Sequence, residues 1–495
     1  MPKSEPGYLS SKILKVIAIA VVALGIALRV AVYLQNRDIS MDEANVARNL
    51  FERDFAGLLK PLFYEQFAPP VFLWIEKAVA SVGGYSELAL RFYALVCGIL
   101  SLWLFYLLLK KLFPLQIALY PLAIFSTGLI YIRYASELKQ YTSDMMASLI
   151  LLLLALSLRP SGNNKRFMLI WLIAGSVAIW LSMPAVFIMT GVFSYYLYTS
   201  VADKDWASVK VSVITGCILV LQFVGFYFLS LQYSIHSNYL QWWHDKFFLF
   251  PVPGDKGEWR HNWRAIKWLF SDLTGEWYWA LVLNISCFLL GSLVLLFKDR
   301  AKAILFLLPL TIALLAAAMR QYTLLSRVML FASPLILVII AFGLMSITNT
   351  KRTVFNVLVT AFACICVFKF SKISLFTEPL VVDKIRGVIQ SLSTSGVSNE
   401  QLYVDNFAAP YFKYYTEIHP GKKRWASISN PRYFHDTDNF DSLVLTTSGR
   451  SAMLFGYTYG EGFEKYRATV SRHHRILFTF AQKDAKAIVF DDARK

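Results

Sequence analysis

Along the first three quarters of the chain, polar residues are confined to short gaps between apolar runs. Eleven runs lie at 13–34, 87–109, 113–132, 143–158, 167–182, 184–200, 210–231, 277–297, 303–319, 328–347 and 353–370. A helix rises 1.5 Å per residue, so about 20 residues cross a hydrocarbon core of ~30 Å. The pattern predicts about eleven transmembrane helices. The fifth and sixth runs are short and meet at Ser182-Met183-Pro184, which fits two spans or one re-entrant unit. The first run exceeds the apolar core of a signal peptide, and Arg29-Val30-Ala31 is a poor cleavage context, so it reads as a permanent anchor.

From residue 371 the pattern changes to short strands alternating with amphipathic helices. Helical spacing marks 381–392 and 408–415, and strand patterns mark 401–405, 442–446, 476–480 and 487–490. About 120 residues suffice for one small α/β domain. The predicted organisation is a polytopic α-helical membrane domain, 1–370, followed by an α/β domain, 371–495.

With 57% hydrophobic and 16% charged residues, the composition excludes an ordinary soluble protein. The net charge of +17 fits nucleic-acid binding, anionic lipid or simple membrane topology. Location decides among them. Short loops on one side hold fifteen basic residues, among them Lys110, Lys111, Lys204, Lys298 and Arg352, against four acids. Lys and Arg are retained in the cytoplasm, so that side is cytoplasmic, and an odd number of spans puts the N-terminus inside and the α/β domain outside. The basicity is mostly topology; no nucleic-acid partner is expected. All five cysteines fall within predicted spans and read as packing residues.

The chemistry concentrates in the predicted external loops. In the loop 35–86, Asp42 and Glu43 are neighbours that point about 100° apart on a helix. Ser40-x-x-Glu43 has capping-box spacing, which leaves Asp42 as the free carboxylate at the membrane surface. Apolar residues from Ala47 to Leu62 follow at helical spacing, suited to lying in the interface, and a solvated connector fits the same pattern. The pair Pro69-Pro70 ends any preceding helix and fixes the entry into the next. Arg133, Lys139, Arg320 and Arg327 sit in short external turns that normally shed cations. An anionic lipid headgroup accounts for them; snorkelling or pairing with Glu87, Glu137 and Asp144 is the plainer alternative. The loop 232–276 is rich in tryptophan, with His236, His244 and His261 between, and reads as an interface anchor or a sugar- or acceptor-binding lid. His473-His474 reads as a solvated strand edge, and the Asn284-Ile-Ser286 sequon lies inside a span.

Asp42-Glu43 after the first span, Gln66-x-Ala-Pro-Pro-x-Phe-Leu73, Ser86-Glu-x-x-x-Arg91, Ser136-Glu-Leu-Lys-Gln-Tyr141, Ser326-Arg-x-x-Leu-Phe-x-x-Pro334, Tyr403-Val-Asp405 and Tyr414-Tyr415 together resemble one family. It comprises the dolichyl-phosphate-mannose protein mannosyltransferases and their bacterial relatives, including the lipid A aminoarabinose transferases, all of the GT-C fold. The resemblance implies an inverting transfer of a hexose or pentose from a polyprenyl-phosphate carrier to a hydroxyl acceptor, outside a bacterial inner membrane. It implies Asp42 as base, Glu43 as a second catalytic acid that helps bind the acceptor, and Arg91, Lys139 and Arg327 at the phosphate, with Arg133 and Tyr141 beside them. Glu65 occupies a substrate-binding position only loosely, because two extra residues separate it from the prolines. Some relatives use a divalent metal; this sequence has no clear ligand cluster. Two other classes stay open: a multi-span transporter, which calls for charges near the midplane, and a non-catalytic envelope-binding protein.

Overall fold

The computed structural model describes residues 11–160, 165–235, 237–348, 353–398, 401–435, 440–456, 462–483 and 485–492. Its membrane layer begins with α1 (Ser11–Leu34), after which the chain forms α2 (Met41–Glu52) and α3 (Pro70–Gly83) at one end of the bundle. Next come α4 (Glu87–Leu112), α5 (Leu115–Thr127), α6 (Leu129–Arg133), α7 (Tyr141–Ser157), α8 (Lys165–Leu181), α9 (Ala185–Ala202) and α10 (Trp206–Phe226). Short helices α11 (Gln232–Ile235) and α12 (Asn238–Trp243) and the longer α13 (Lys256–Thr274) precede the last spans. These are α14 (Tyr278–Lys298), α15 (Arg300–Ala318), α16 (Ser333–Thr348) and α17 (Thr353–Phe370).

A helix occupies each of the eleven predicted runs. Among the described residues, eight helices are long and apolar enough to cross a membrane, and α5 with α6 makes a ninth as a pair bent by 53°. The other two, α7 and α8, have 17 residues each, so length and apolarity support eight or nine crossings where eleven were expected. Ser182-Met183-Pro184 forms a turn between α8 and α9.

Two local devices shape the bundle. Where α5 ends before Gly128, its last carbonyls lose helical partners; the Arg29 guanidinium, fully buried on α1, donates to Phe125 and Ser126 oxygens at 2.9 and 3.0 Å. A cation at a helix C-terminus answers both the orphan acceptors and the dipole. Central helix α16 approaches α14 so closely that a Cβ on Gly291 would collide with the Ile339 carbonyl, and one on Gly343 with that of Cys287. Asn284, inside α14, is buried and bonded to Tyr120 and the Thr274 carbonyl.

The C-terminal residues form α18 (Arg386–Ser393), β1 (Leu402–Asp405), α19 (Ala409–Lys413), β2 (Arg432–Phe434), α20 (Phe440–Leu445), β3 (Ser451–Gly456), α21 (Gly462–His473), β4 (His474–Gln482) and β5 (Ala485–Asp492). The sheet order is β2-β1-β3-β5-β4, with β1 parallel to β2 and β3 and the remaining pairs antiparallel. Three sequence expectations change here. Residues 442–445 fall in helix α20 and Thr446 in the turn after it, instead of a strand. His474 is buried, its Nε2 2.8 Å from the Val444 carbonyl, so it is not a solvated edge. Helix α2 stops at Glu52, and its Ala47 and Leu50 pack against the C-terminal domain, sharing a core with Val404, Tyr411 and Tyr415 instead of facing lipid.

Candidate active site

Ser40 caps α2 with the predicted capping box: its amide donates to Glu43 Oε2 at 2.9 Å and its Oγ accepts from the Glu43 amide at 3.4 Å. The box fixes the fate of both acids. Glu43 turns inward with no exposure and takes a fork from Arg91, Nε to Oε1 at 2.7 Å and a terminal nitrogen to Oε2 at 2.8 Å. The Leu138 amide adds a third donor at 2.9 Å. Burial pushes the Glu43 carboxyl up, but Arg91, Arg37 and the Ser40 amide outweigh it and hold it at about 2. Asp42, about 100° round the helix, keeps a third of its side chain open to a cavity of about 460 Å³.

Around that cavity stand Glu65, Lys139, Tyr141, His244 and Arg327, with Asn406 and Phe407 of the C-terminal domain as part of the wall. Arg327 donates to Asp42 Oδ2 at 3.1 Å, and Lys139, 6% exposed, donates to Gln66 Oε1 at 2.7 Å. The Lys139 ammonium first, and Arg327 after it, hold the Asp42 carboxyl below the usual carboxylate range against its burial. Burial in turn pushes Lys139 below the ordinary lysine value, with Asp42 opposing. His244 is pushed down to about 4 by burial and by Arg327, so its imidazole is neutral near pH 7.

Tyr141 stacks edge-on to Tyr134, with centroids 5.1 Å apart. Glu65 accepts from the Ser237 hydroxyl at 2.5 Å, and it and Tyr64 both adopt left-handed backbone (φ 53° and 64°), a strained geometry for residues with a Cβ. Among the described residues, four buried polar atoms at this cavity have no protein partner: Asn45 Oδ1, Gln140 Oε1, Asp144 Oδ1 and Arg327 Nε. Such groups call for a polar ligand, because leaving them unpaired costs about 1–3 kcal/mol each.

A second, larger cavity of about 1170 Å³ adjoins the first, with Gln241, Trp243, Arg320 and Arg327 lining both. Its wall mixes apolar Leu129, Ile130, Ala280 and Phe370 with Arg133, Lys246, Lys369 and Lys372. Arg133 shares Glu137 with Arg37, at 2.7 and 3.4 Å. Arg320 pairs with Asp245.

The fold thus gathers Asp42, Glu65, Lys139, Tyr141 and Arg327 at one cavity and sets Arg133 beside Arg327 at the next. Two residues go elsewhere. Arg91, 1% exposed, spends its donors on Glu43 and on the Arg37 and Asp38 carbonyls at 2.7 and 3.0 Å, and it faces neither cavity. It has no free edge for a phosphate. Glu43, sealed behind the same fork, has no surface for an acceptor. Asn45 and Asn406 went unread in the sequence, and His244 was read only as part of the tryptophan-rich loop. Asn45 was recoverable, standing three residues after Asp42 on the same helix face; His244 and Asn406 come from distant segments. No three His, Cys, Asp or Glu among the described residues are placed to hold a metal ion.

A polytopic helical bundle with this loop layer and a small α/β domain is the GT-C architecture. Residues 68–227 match the family model for dolichyl-phosphate-mannose-protein mannosyltransferase. An uncharacterized protein of Aquifex aeolicus (strain VF5) is 29% identical over 218 residues, a match spanning 42% of this chain and 41% of that one. The fold matches the crystal structure of apo ArnT from Cupriavidus metallidurans with a TM-score of 0.54 at 13% identity, covering 95% of this chain and 98% of that one. The same protein solved with undecaprenyl phosphate bound matches with a TM-score of 0.54 at 11% identity, covering 97% and 98%. The chain is an integral membrane protein that resembles the GT-C glycosyltransferases, in fold over nearly its whole length and in sequence over residues 68–227.

Proposed function

We propose that this protein transfers a sugar from a polyprenyl-phosphate carrier to a hydroxyl acceptor at the extracytoplasmic face of a bacterial inner membrane. The observation that carries the reading is Asp42, a carboxylate open to a cavity and held below the ordinary carboxylate range by two cations that line it, Lys139 and Arg327. An acceptor hydroxyl beside Asp42 gives up its proton to the carboxylate while its oxygen attacks the anomeric carbon. The bond to the phosphate breaks on the opposite face, inverting the configuration. Negative charge then grows on the departing phosphate, where Arg327 and Lys139, with Arg133 beyond, offset it. Arg327 lines both cavities, which supports a phosphate at their junction with the prenyl chain along the larger, partly apolar one. Tyr141 and Glu65 bound the sugar space. Glu43 and Arg91 act by holding the loop that presents Asp42.

Asp42→Asn in the native host tests this. Loss of a general base lowers rate by about 10²–10⁴-fold, so the lipid-linked sugar pool should rise and the envelope glycan profile lose the transferred sugar. An unchanged glycan profile and pool, with the variant present in the membrane at wild-type level, would refute the assignment.

A further inference from the structure

Helix α13 buries only its second half: Ala265, Leu269, Phe270 and Leu273 enter the main core, whereas no residue from Lys256 to Arg264 is buried. The outer half is nevertheless fixed in place. Asp255 caps it through the Gly257 and Glu258 amides at 2.6 and 2.9 Å. Asn262 grips both the amide and the carbonyl of Phe250 at 2.9 Å, and His261 lies 2.9 Å from the Phe248 carbonyl.

Two strips run along this held but uncovered surface. One is aromatic, Trp259 and Trp263, four residues apart and 63% and 56% exposed. The other is basic: Lys256, Arg260, Arg264 and Lys267 follow at spacings of four, four and three, so they share one face about 75° from the tryptophans. All four are exposed, and no acidic side chain pairs with any of them among the described residues. Tyr278 and Trp279, equally exposed, open span α14 just after this helix and mark the depth of the interface. Tryptophan at the acyl boundary beside cations at phosphate level is the arrangement of a helix lying on a negatively charged leaflet.

We propose that the outer half of α13 is a docking surface for anionic phospholipid headgroups of the leaflet on the active-site side. Trp259 and Trp263 seat it at the acyl boundary, and Lys256, Arg260, Arg264 and Lys267 meet the phosphates. Charge complementarity selects the occupant: a zwitterionic headgroup presents no net charge to four unpaired cations. The surface is independent of the reaction at Asp42, and its test does not require the sugar donor.

The experiment is native mass spectrometry of the purified full chain with equimolar phosphatidylglycerol and phosphatidylcholine. Each cation near an anionic surface strengthens the attraction, so wild type should retain phosphatidylglycerol preferentially and Arg260→Gln/Arg264→Gln/Lys267→Gln should lower that preference about tenfold or more. The charge-preserving Arg260→Lys/Arg264→Lys/Lys267→Arg variant should keep it, as should Lys423→Gln/Lys465→Gln/Arg472→Gln on the C-terminal domain. Millimolar inorganic phosphate should leave bound lipid in place. The proposal is overturned by no headgroup preference in wild type, by a preference that survives the triple glutamine change, by its equal loss in the C-terminal control, or by displacement with inorganic phosphate.

Discussion

Glu43 has every carboxylate oxygen engaged and none of its surface open, while its neighbour Asp42 is held by a single ion pair at the edge of a cavity. Removing one partner of a buried, forked pair leaves the other charge stranded, at about 3–5 kcal/mol. Glu43→Ala and Arg91→Ala are therefore expected to lower thermal stability sharply in detergent, read by fluorescence-detected size exclusion on heating. Asp42→Asn should leave the melting temperature within a few degrees of wild type while abolishing transfer. The pH dependence follows from the same charges. Asp42 titrates below the ordinary carboxylate range because of Lys139, so the ionised carboxylate that the proposed transfer needs persists as pH falls and is lost only on passing through that depressed value. Lys139→Gln removes the leading cause; the acid limb of the transfer rate should move toward neutral pH, whatever happens to the maximal rate. An acid limb that does not move would show that another group sets it.

At the scale of elements, the strongest prediction concerns the α14–α16 contact. A Cβ at Gly343 meets the Cys287 backbone, and backbone cannot step aside as a side-chain tip can, so Gly343→Ala should force the two helices apart. The variant should accumulate poorly in the membrane and melt earlier than Gly387→Ala, a position with open space around it. Spans were legible because hydrophobic length is a local property. The ends of elements were less so. Periodicity carried the helix after Asp42 past Leu58, yet Arg53 and the turn at 54–59 end it, and burial against a distant domain supplied the apolar pattern that mimicked a membrane-surface helix. The apolar stretch around Val444 read as a strand for a like reason: a short buried run has no period that separates strand from helix.

Across the whole molecule, the loop layer and the C-terminal domain are joined by ionic contacts as well as a shared core. The Arg386 guanidinium reaches Glu87 Oε1 at 2.6 Å and Asp38 Oδ1 at 3.5 Å, His419 Nε2 lies 3.0 Å from Glu87 Oε2, and Asp38 accepts the Ile385 and Arg386 amides, both at 2.8 Å. Asp38 stands four residues before Asp42 on the same loop. Arg386→Ala should therefore reduce transfer by loosening the presentation of Asp42, and limited proteolysis should then cut within 35–60 faster than in wild type; unchanged cleavage would separate the two domains mechanically.

The sequence alone determined that this is a polytopic membrane protein with a small α/β domain, and that Asp42, Lys139 and Arg327 are chemically conspicuous, because apolar run length, capping-box spacing and misplaced cations are all local signals. Which of those residues face a cavity was decided only by the tertiary structure. Arg91 and Arg327 look alike in the sequence as arginines at the ends of apolar runs; one is consumed by a buried carboxylate and two carbonyls, the other stands between two cavities. That difference comes from how α4 packs against the loop 37–43, a long-range arrangement that no spacing within either segment encodes.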